Sequence, residues 1–167
     1  MFHVAILVPV PYGRGVRPRA WLFRAVTALH RAVFRLTRGR LLGRAGGMPV
    51  VILTTIGHRS GRRRRTMLTA PVVDAERVVL VASYGGHSHN PHWFQNLLIS
   101  PDVGVTMAGK PQRRMRARVA DRTERAELWP QVVRAYPGYD RYQQKTDRLI
   151  PLVVVEPHPE GGQRSRG

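Results

Sequence analysis

Short runs of β-branched residues, separated by brief turns, dominate the middle of this chain. The runs that predict strands cover residues 50–56, 66–73, 77–83, 102–107, 112–120 and 149–155. The link over residues 74–76 and the link over residues 108–111 have the lengths typical of hairpin loops. Short strands in hairpins, accompanied by a few helices, are typical of small α+β folds. The pattern therefore predicts an α+β domain built on a β-barrel of about six mainly antiparallel strands.

An amphipathic helix is predicted ahead of the strands, over residues 18–42. One face carries Leu22, Val26, Leu29, Val33 and Leu36, and the opposite face carries Arg24, Arg31, Arg35 and Arg38. We therefore divide the chain into an N-terminal extension (residues 1–47), a barrel domain (48–157) and a Gly/Arg-rich tail (158–167) that we expect to be disordered.

Two further helical segments flank the predicted strands. Residues 90–100 predict a short helix, because apolar side chains recur on roughly one side of it. Residues 123–145 predict a longer helical segment with Thr123 as its N-cap. Pro137 and Gly138 interrupt that segment, and a shorter helix is expected after the break.

The charge of the chain is strongly one-sided. Its formal net charge is +18, and no acidic residue precedes Asp74. Such a field attracts a nucleic acid, an anionic membrane, or a ligand that bears phosphate or carboxylate groups. The absence of cysteine excludes disulfides, thiol catalysis and Cys-rich zinc sites. Without a convincing secretion signal or membrane span, we expect a cytoplasmic protein, with a peripheral position on the inner face of the plasma membrane as the further option.

The first candidate site is the basic segment over residues 54–65, where a predicted strand runs into a glycine-containing turn. Backbone amides in such a turn, together with Ser60 and the neighbouring arginines, suit an anion. A solvated basic hairpin explains the same residues equally well. No P-loop pattern is present in the sequence.

The second candidate site joins Ser83-Tyr84-Gly85-Gly86 to the predicted helix over residues 90–100. A glycine pair at a strand end lets backbone approach a flat ligand closely. The alternative is a plain turn beside a core helix in which Trp93 simply packs. The nearby histidines His87, His89 and His92 lack a cysteine or carboxylate neighbour in sequence, so we predict no metal site.

The third candidate is a set of three tyrosines, Tyr136, Tyr139 and Tyr142, around the Pro137-Gly138 break. Helical spacing lets them share one side and present rings and hydroxyls to a pocket. An aromatic helix face that rests on the barrel is the alternative. Because no serine-hydrolase elbow or glycosidase carboxylate pair is evident, an enzyme of this sequence needs a cofactor to supply its chemistry.

Taken together and in this order, these segments resemble the deazaflavin-dependent nitroreductase family. The resemblance is carried by residues 53–61, Arg64, and residues 81–86, 90–97, 129–130, 136–142, 146–148 and 150–151. Members of that family have a split β-barrel fold similar to that of FMN-binding proteins. They bind coenzyme F-420, a deazaflavin with a phosphodiester and a glutamyl tail.

The resemblance implies a role for each group of candidate residues. Arg59, Ser60 and Arg64 would hold the phosphate and the anionic tail. Ser83, Gly85 and Gly86 would lie along the deazaflavin ring, and Trp93 would support that wall. Tyr136, Tyr139 and Tyr142 would line the substrate side. Tyr139 or Ser83 would orient the substrate or help to deliver a proton. The chain departs from the family at Arg59, where lysine is frequent, and at Thr69, where some members have an aromatic residue.

The function implied by the resemblance is hydride transfer from reduced F-420 to a quinone, an enone or a nitroaromatic acceptor. FMN is the second choice of cofactor. A quinone acceptor would suit the amphipathic helix over residues 18–42, which could rest on an anionic membrane or pack on the barrel. Two alternatives stay open: a non-enzymatic nucleic-acid-binding module, and a split barrel that binds FMN, haem or lipid without turnover. The lack of any helix-turn-helix, RRM or zinc-finger pattern argues against nucleic acid.

Overall fold

The computed structural model describes residues 44–107 and 109–158. The predicted amphipathic helix and residues 159–167 of the predicted tail lie outside the described residues. The described chain forms eight strands: β1 (Arg44–Ala45), β2 (Met48–Ile56), β3 (Arg63–Thr69), β4 (Val72–Val73), β5 (Val78–Val81), β6 (Asp102–Met107), β7 (Arg113–Val119) and β8 (Leu152–Pro157). It also forms helices α1 (His92–Ile99), α2 (Arg122–Ala135) and α3 (Gly138–Gln144), and a short 3-10 turn over Tyr84–Gly86.

Every strand pair in the described sheet is antiparallel. Reading from β3, the order of neighbours is β3, β2, β6, β7, β8, β5 and β4, and β1 pairs with the start of β2. The first and last members of this series, β3 and β4, are consecutive in the chain. Only two residues separate them, so the two edges of the sheet come together at this point, and the predicted α+β barrel of mainly antiparallel strands is confirmed.

The prediction of one continuous strand over residues 66–73 is wrong. The strand ends at Thr69, and the chain passes through Ala70 and Pro71 to reach a different neighbour. Ala70 N–H still donates to Pro49 O at 2.9 Å, on the β2 side. Proline has no N–H to continue a ladder, so Pro71 suits the point where the chain leaves one partner strand for the other.

The predicted N-cap at Thr123 is also wrong. Helix α2 begins at Arg122, and the Asp121 carboxylate accepts a hydrogen bond from the Glu124 N–H at 2.8 Å. Aspartate is as good an N-cap as threonine, so composition alone did not decide between the two positions.

The core has two parts, one on each face of the sheet. Inside the barrel, alternate strand side chains meet one side of α1: Val51, Leu53, Leu80, Val153, Val155, Trp93, Phe94 and Leu97. Outside it, the other alternate side chains meet α2 and α3: Val79, Val81, Leu152, Val154, Leu128, Val132 and Tyr139. Strand β8 is buried on both faces, which explains its continuous apolar run. The two cores fix α1 and α3 against the barrel, and these helices carry much of the candidate site.

Candidate functional site

The turn between β2 and β3 and the first three residues of β3, together residues 57–65, are called the basic turn below. Gly57 O accepts hydrogen bonds from Ser60 N–H at 3.0 Å and from Gly61 N–H at 2.8 Å, and Gly57 N–H donates to Arg62 O at 2.9 Å. A Cβ on Gly57 would lie only 2.7 Å from the Ser60 hydroxyl oxygen. A side chain at position 57 would therefore displace the Ser60 hydroxyl, whereas glycine leaves room for it.

The predicted anion-binding residues meet in the basic turn. Ser60 Oγ accepts a hydrogen bond from Arg64 Nη2 at 3.1 Å, and Arg59 precedes Ser60 in the same turn. Among the described residues, no carboxylate forms an ion pair with any arginine of the turn, namely Arg59, Arg62, Arg63, Arg64 and Arg65. Their charge is therefore not compensated by the described chain, and it is concentrated where an anionic ligand can meet it.

A cleft beside the barrel collects four other predicted residues. It lies between β3, the end of β5, α1 and α3, and its lining includes Ser83, Gly85, Trp93 and Tyr139. Gly85 has a φ of +69°, and its Cβ position meets no protein atom within 4 Å. The backbone at Gly85 is thus not covered by other protein atoms on that side, and its contact with a flat ligand stays a prediction.

Gly86, the other half of the glycine pair, packs against α3. It is buried, its φ is +83°, and a Cβ there would lie 2.8 Å from Tyr142 O and 3.0 Å from Lys145 Cβ. Contact with the end of α3 is enough to explain glycine at this position. Contact with a ring ligand at Gly86 stays a prediction.

We expect Gly86→Ala to lower the free energy of unfolding of the cofactor-free protein by about 3 kcal/mol, because it adds both backbone strain and a steric clash. Gly85→Ala is the matched control, since it shares the positive φ but meets no atom. We expect the control to cost about 1 kcal/mol. Urea denaturation of both variants measures this difference, and equal losses would exclude a packing role specific to Gly86.

Arg148 holds the loop that forms one wall of the cleft. Its Nη2 donates to Ala82 O at 3.1 Å and to Ser83 O at 2.8 Å, its Nε donates to His87 O at 2.8 Å, and its Nη1 donates to Asn90 Oδ1 at 2.7 Å. Partial burial lowers the pKa of Arg148, because desolvation disfavours its charge. One guanidinium thus ties both ends of the loop to the segment that follows α3.

Tyr84, between Ser83 and Gly85, has a strained backbone with a φ of 48°. Its ring lies 4.9 Å from that of His87 and 5.2 Å from that of His89, centroid to centroid. These histidines therefore form an aromatic cluster with Tyr84. Within the described ranges, no group of three or more histidine and acidic side chains is arranged to hold a metal ion.

The three predicted tyrosines form one cluster, but only Tyr139 lines the cleft. Ring centroids lie 5.5 Å apart for Tyr136 and Tyr139, and 6.3 Å apart for Tyr139 and Tyr142. Tyr139 is 2% exposed, and its hydroxyl lies 3.0 Å from Thr69 Oγ1. Thr69, the position where some family members carry an aromatic residue, is therefore the hydrogen-bond partner of Tyr139.

Burial raises the pKa of the Tyr139 hydroxyl, and the hydrogen bond with Thr69 only partly offsets this effect. Burial, with a hydrogen bond to Tyr136, raises the pKa of Tyr142 as well. Both hydroxyls therefore stay protonated at neutral pH. Protonated phenols can donate a hydrogen bond, which is what orienting an acceptor oxygen requires.

These shifts predict a loss of stability in alkali. Because the pKa is raised on folding, the stabilisation is complete below the unfolded value near ~10 and is lost as pH rises above it. We expect the free energy of unfolding to fall above pH ~10, and Tyr139→Phe to reduce that fall by up to about 1.4 kcal/mol per pH unit. Urea denaturation between pH ~9 and ~11 measures both slopes. Parallel slopes would show that Tyr139 does not titrate differently on folding.

The basic turn and the cleft share two elements. On β3, Arg64 lies four residues before Leu68, which lines the cleft, and this corresponds to roughly 13 Å along a strand. On α1, Trp93 lines the cleft, and Asn96, one turn later, hydrogen-bonds the backbone of His58. An elongated ligand with a flat ring and an anionic tail can therefore contact both features.

Sequence reasoning gave no role to Asn96 or Arg148, although both lie in segments that carry the family resemblance. Asn96 is a polar residue on the otherwise apolar inner side of α1, beside Trp93 and Leu97. A polar residue among apolar ones on a buried helix face was the sequence feature that could have identified it. Nothing in the sequence around Arg148 indicates that its side chain reaches Ala82 and Ser83.

Across the described residues, no helix combines the length and the apolar character needed to cross a membrane.

Comparisons with known proteins agree with this geometry. A family model described as F-420H(2)-dependent quinone reductase matches residues 24–157. An F-420H(2)-dependent quinone reductase of Mycobacterium tuberculosis is 35% identical over 143 residues, covering 81% of this chain and 95% of that protein. The solved structure of an F-420-H2-dependent reductase (FDR-A) is 39% identical, covers 65% of this chain and 94% of its own, and has a TM-score of 0.59. Another solved structure, described as a domain-swapped dimer, is 34% identical, covers 83% of this chain and 99% of its own, and has a TM-score of 0.63. From the match of the family model and of these relatives, we conclude that the chain belongs to the F-420H(2)-dependent quinone reductase family.

Proposed function

We propose that this protein is an F-420H2-dependent oxidoreductase that reduces a quinone. The observation that carries the proposal is the pairing of an uncompensated basic turn with a cleft whose glycine backbone is open to a flat ring. Family membership supports the cofactor and the acceptor class, because relatives are named for both. An enzyme without its own nucleophile or acid pair relies on such a cofactor for the redox step.

The described residues fit the chemistry of F-420. Arg59, Ser60 and Arg64 offer charged and hydroxyl donors to the phosphodiester and the glutamyl carboxylates, and guanidinium groups suit both. In the cleft, Gly85 offers open backbone, and Trp93 is a buried aromatic wall that is 5% exposed. The sum of these donors favours F-420 over FMN, which carries one phosphate and no glutamyl tail.

Reduced F-420 supplies the hydride when bound. The protein's own part is to hold the acceptor against the ring and to keep a proton donor near the acceptor oxygen. Our candidate for this task is Tyr139, because it lines the cleft and its hydroxyl is hydrogen-bonded to Thr69 at 3.0 Å. Ser83, which is 5% exposed and lines the same cleft, is the second candidate for orienting the acceptor.

Steady-state oxidation of F-420H2 tests the proposed reaction. We expect turnover with a soluble naphthoquinone, and the rates with a nitroaromatic and with an enone decide whether either is also an acceptor. Titrations with F-420 and with FMN, followed by fluorescence, compare the two cofactors directly. Failure of F-420 to bind at micromolar concentration, or binding without quinone turnover, would exclude the proposed function.

We also propose that residues 18–42 bring the enzyme to an anionic membrane, where hydrophobic quinones reside. The proposal is supported by the arginine face and the aliphatic face of that segment, which lies outside the described residues. Pelleting with vesicles that contain anionic lipid should retain the full chain and release a variant in which Arg24, Arg31, Arg35 and Arg38 are replaced by glutamine. Equal pelleting of both proteins would exclude this role for the arginine face.

A further inference from the structure

We propose that Asn96 is the positioning residue that sets the basic turn in register with the cleft, so that one cofactor can contact both. The inference rests on the proposed function for its consequence, but the contacts that carry it belong to the described chain alone. Asn96 lies on α1 and is 5% exposed. Its side chain touches the strand before the turn and the turn itself.

The amide group of Asn96 uses both of its ends. Its Oδ1 lies 3.0 Å from the His58 backbone N and 2.8 Å from His58 Nδ1, and its Nδ2 donates to Thr55 Oγ1 at 3.0 Å. The backbone N–H of His58 can only donate, and this fixes which end of the amide faces the turn. Because Asn96 Oδ1 can only accept, the hydrogen bond with the ring requires the tautomer of His58 in which Nδ1 carries the proton.

Because the Asn96 amide is buried, losing these hydrogen bonds is energetically costly. Thr55 is 1% exposed, so both members of the Asn96–Thr55 hydrogen bond are shielded from water. A buried amide that loses its partners cannot recover them from solvent, so the arrangement with all three contacts is strongly favoured over others. His58 is exposed, and its hydrogen bonds with Asn96 join the turn to α1, which lies outside β2 and β3.

The position of Asn96 on α1 connects the two ends of the candidate site. Residues three apart on a helix lie on the same side, so Asn96 and Trp93 face the barrel together. Trp93 is a wall of the cleft, while His58 directly precedes Arg59 and Ser60. Asn96 therefore ties the anion-binding end of the site to the helix that forms the ring-binding end.

Three variants separate positioning from general stability. Asn96→Leu removes all three contacts, and His58→Ala removes only the side-chain contact. Thr55→Val removes the buried partner but leaves both contacts to the turn, and so it is the matched control for a stability loss in the same network. We expect F-420 to bind Asn96→Leu about 10- to 100-fold more weakly than wild type. Without Asn96 the basic turn would lose its position, and with it the charge-assisted hydrogen bonds to the anionic part of the cofactor. Binding to His58→Ala should fall by less, and binding to Thr55→Val should change less than about threefold.

Two readouts make the test decisive. At saturating F-420H2, kcat of Asn96→Leu should stay within about threefold of wild type while the KM for the cofactor rises, because uniform binding is lost rather than chemistry. In the cofactor-free proteins, amide hydrogen exchange at residues 58–62 should be at least about tenfold faster in Asn96→Leu than in Thr55→Val. Equal exchange rates in the two variants would overturn the positioning role, independently of the measured affinity for F-420. If exchange behaves as expected but wild type does not bind F-420, the proposed function fails and the positioning of the turn stands.

Discussion

Replacing Arg148 with methionine should lower the free energy of unfolding by about 3 kcal/mol and weaken cofactor binding at least about tenfold. The guanidinium makes four hydrogen bonds to the loop over residues 82–90, and two of the acceptors are the carbonyl oxygens of Ala82 and Ser83. Methionine fills a similar volume without donating, so these acceptors lose their partner. Urea denaturation gives the stability change, and F-420 titration gives the change in affinity.

Arg134→Met is the matched control for this prediction. Arg134 is exposed on α2, and within the described part of the chain no ion pair involves it. We expect it to change stability by less than about 0.5 kcal/mol. If Arg148→Met is as mild as this control, Arg148 does not hold the cleft wall.

Arg64→Ala should weaken F-420 binding about 10- to 100-fold and change the free energy of unfolding by less than about 1 kcal/mol. Arg64 contributes a charge-assisted donor to the basic turn, and the described chain offers it no carboxylate to replace a ligand. Fluorescence titration at two salt concentrations measures the effect, because an exposed ionic contact weakens as salt rises.

Arg116→Ala removes the same charge from an exposed position on β7 and is the matched control for Arg64→Ala. We expect its affinity for F-420 to stay within about threefold of wild type. Equal weakening in both variants would mean that the general field of the protein, and not Arg64, attracts the cofactor.

The barrel could be predicted because its strands are short and their turns are brief, and the resemblance added the split-barrel form. The break at Ala70 and Pro71 could not be predicted, since residues 66–73 read as one run and the change of partner depends on strands distant in sequence. The N-cap of α2 was missed because Asp121 and Thr123 are both good capping residues, and only the backbone geometry chooses between them.

The residues of the candidate site and their separation into an anion-binding part and a ring-binding part were named in advance, but the direction that each residue faces was not. Ser83, Gly85, Trp93 and Tyr139 do share a cleft, whereas Gly86 packs on α3 and the Tyr142 ring meets the Tyr139 ring edge to face. These differences depend on which side of a turn or helix a residue faces after packing. Sequence spacing predicts which residues share one side of a helix, but it does not predict which other elements that side contacts.

The place of β8 in the sheet has a consequence for how the molecule is made. Its residues, Leu152–Pro157, are the last strand along the described chain, yet they lie between β7 and β5. During synthesis, the β4–β5 hairpin therefore has no strand to join it to the rest of the sheet until this segment leaves the ribosome. Such late, long-range pairing slows folding and exposes unpaired edges in the meantime. A ribosome that stalls before residue 152 would hold two separate pieces of sheet, with the inner core of the barrel still open to water.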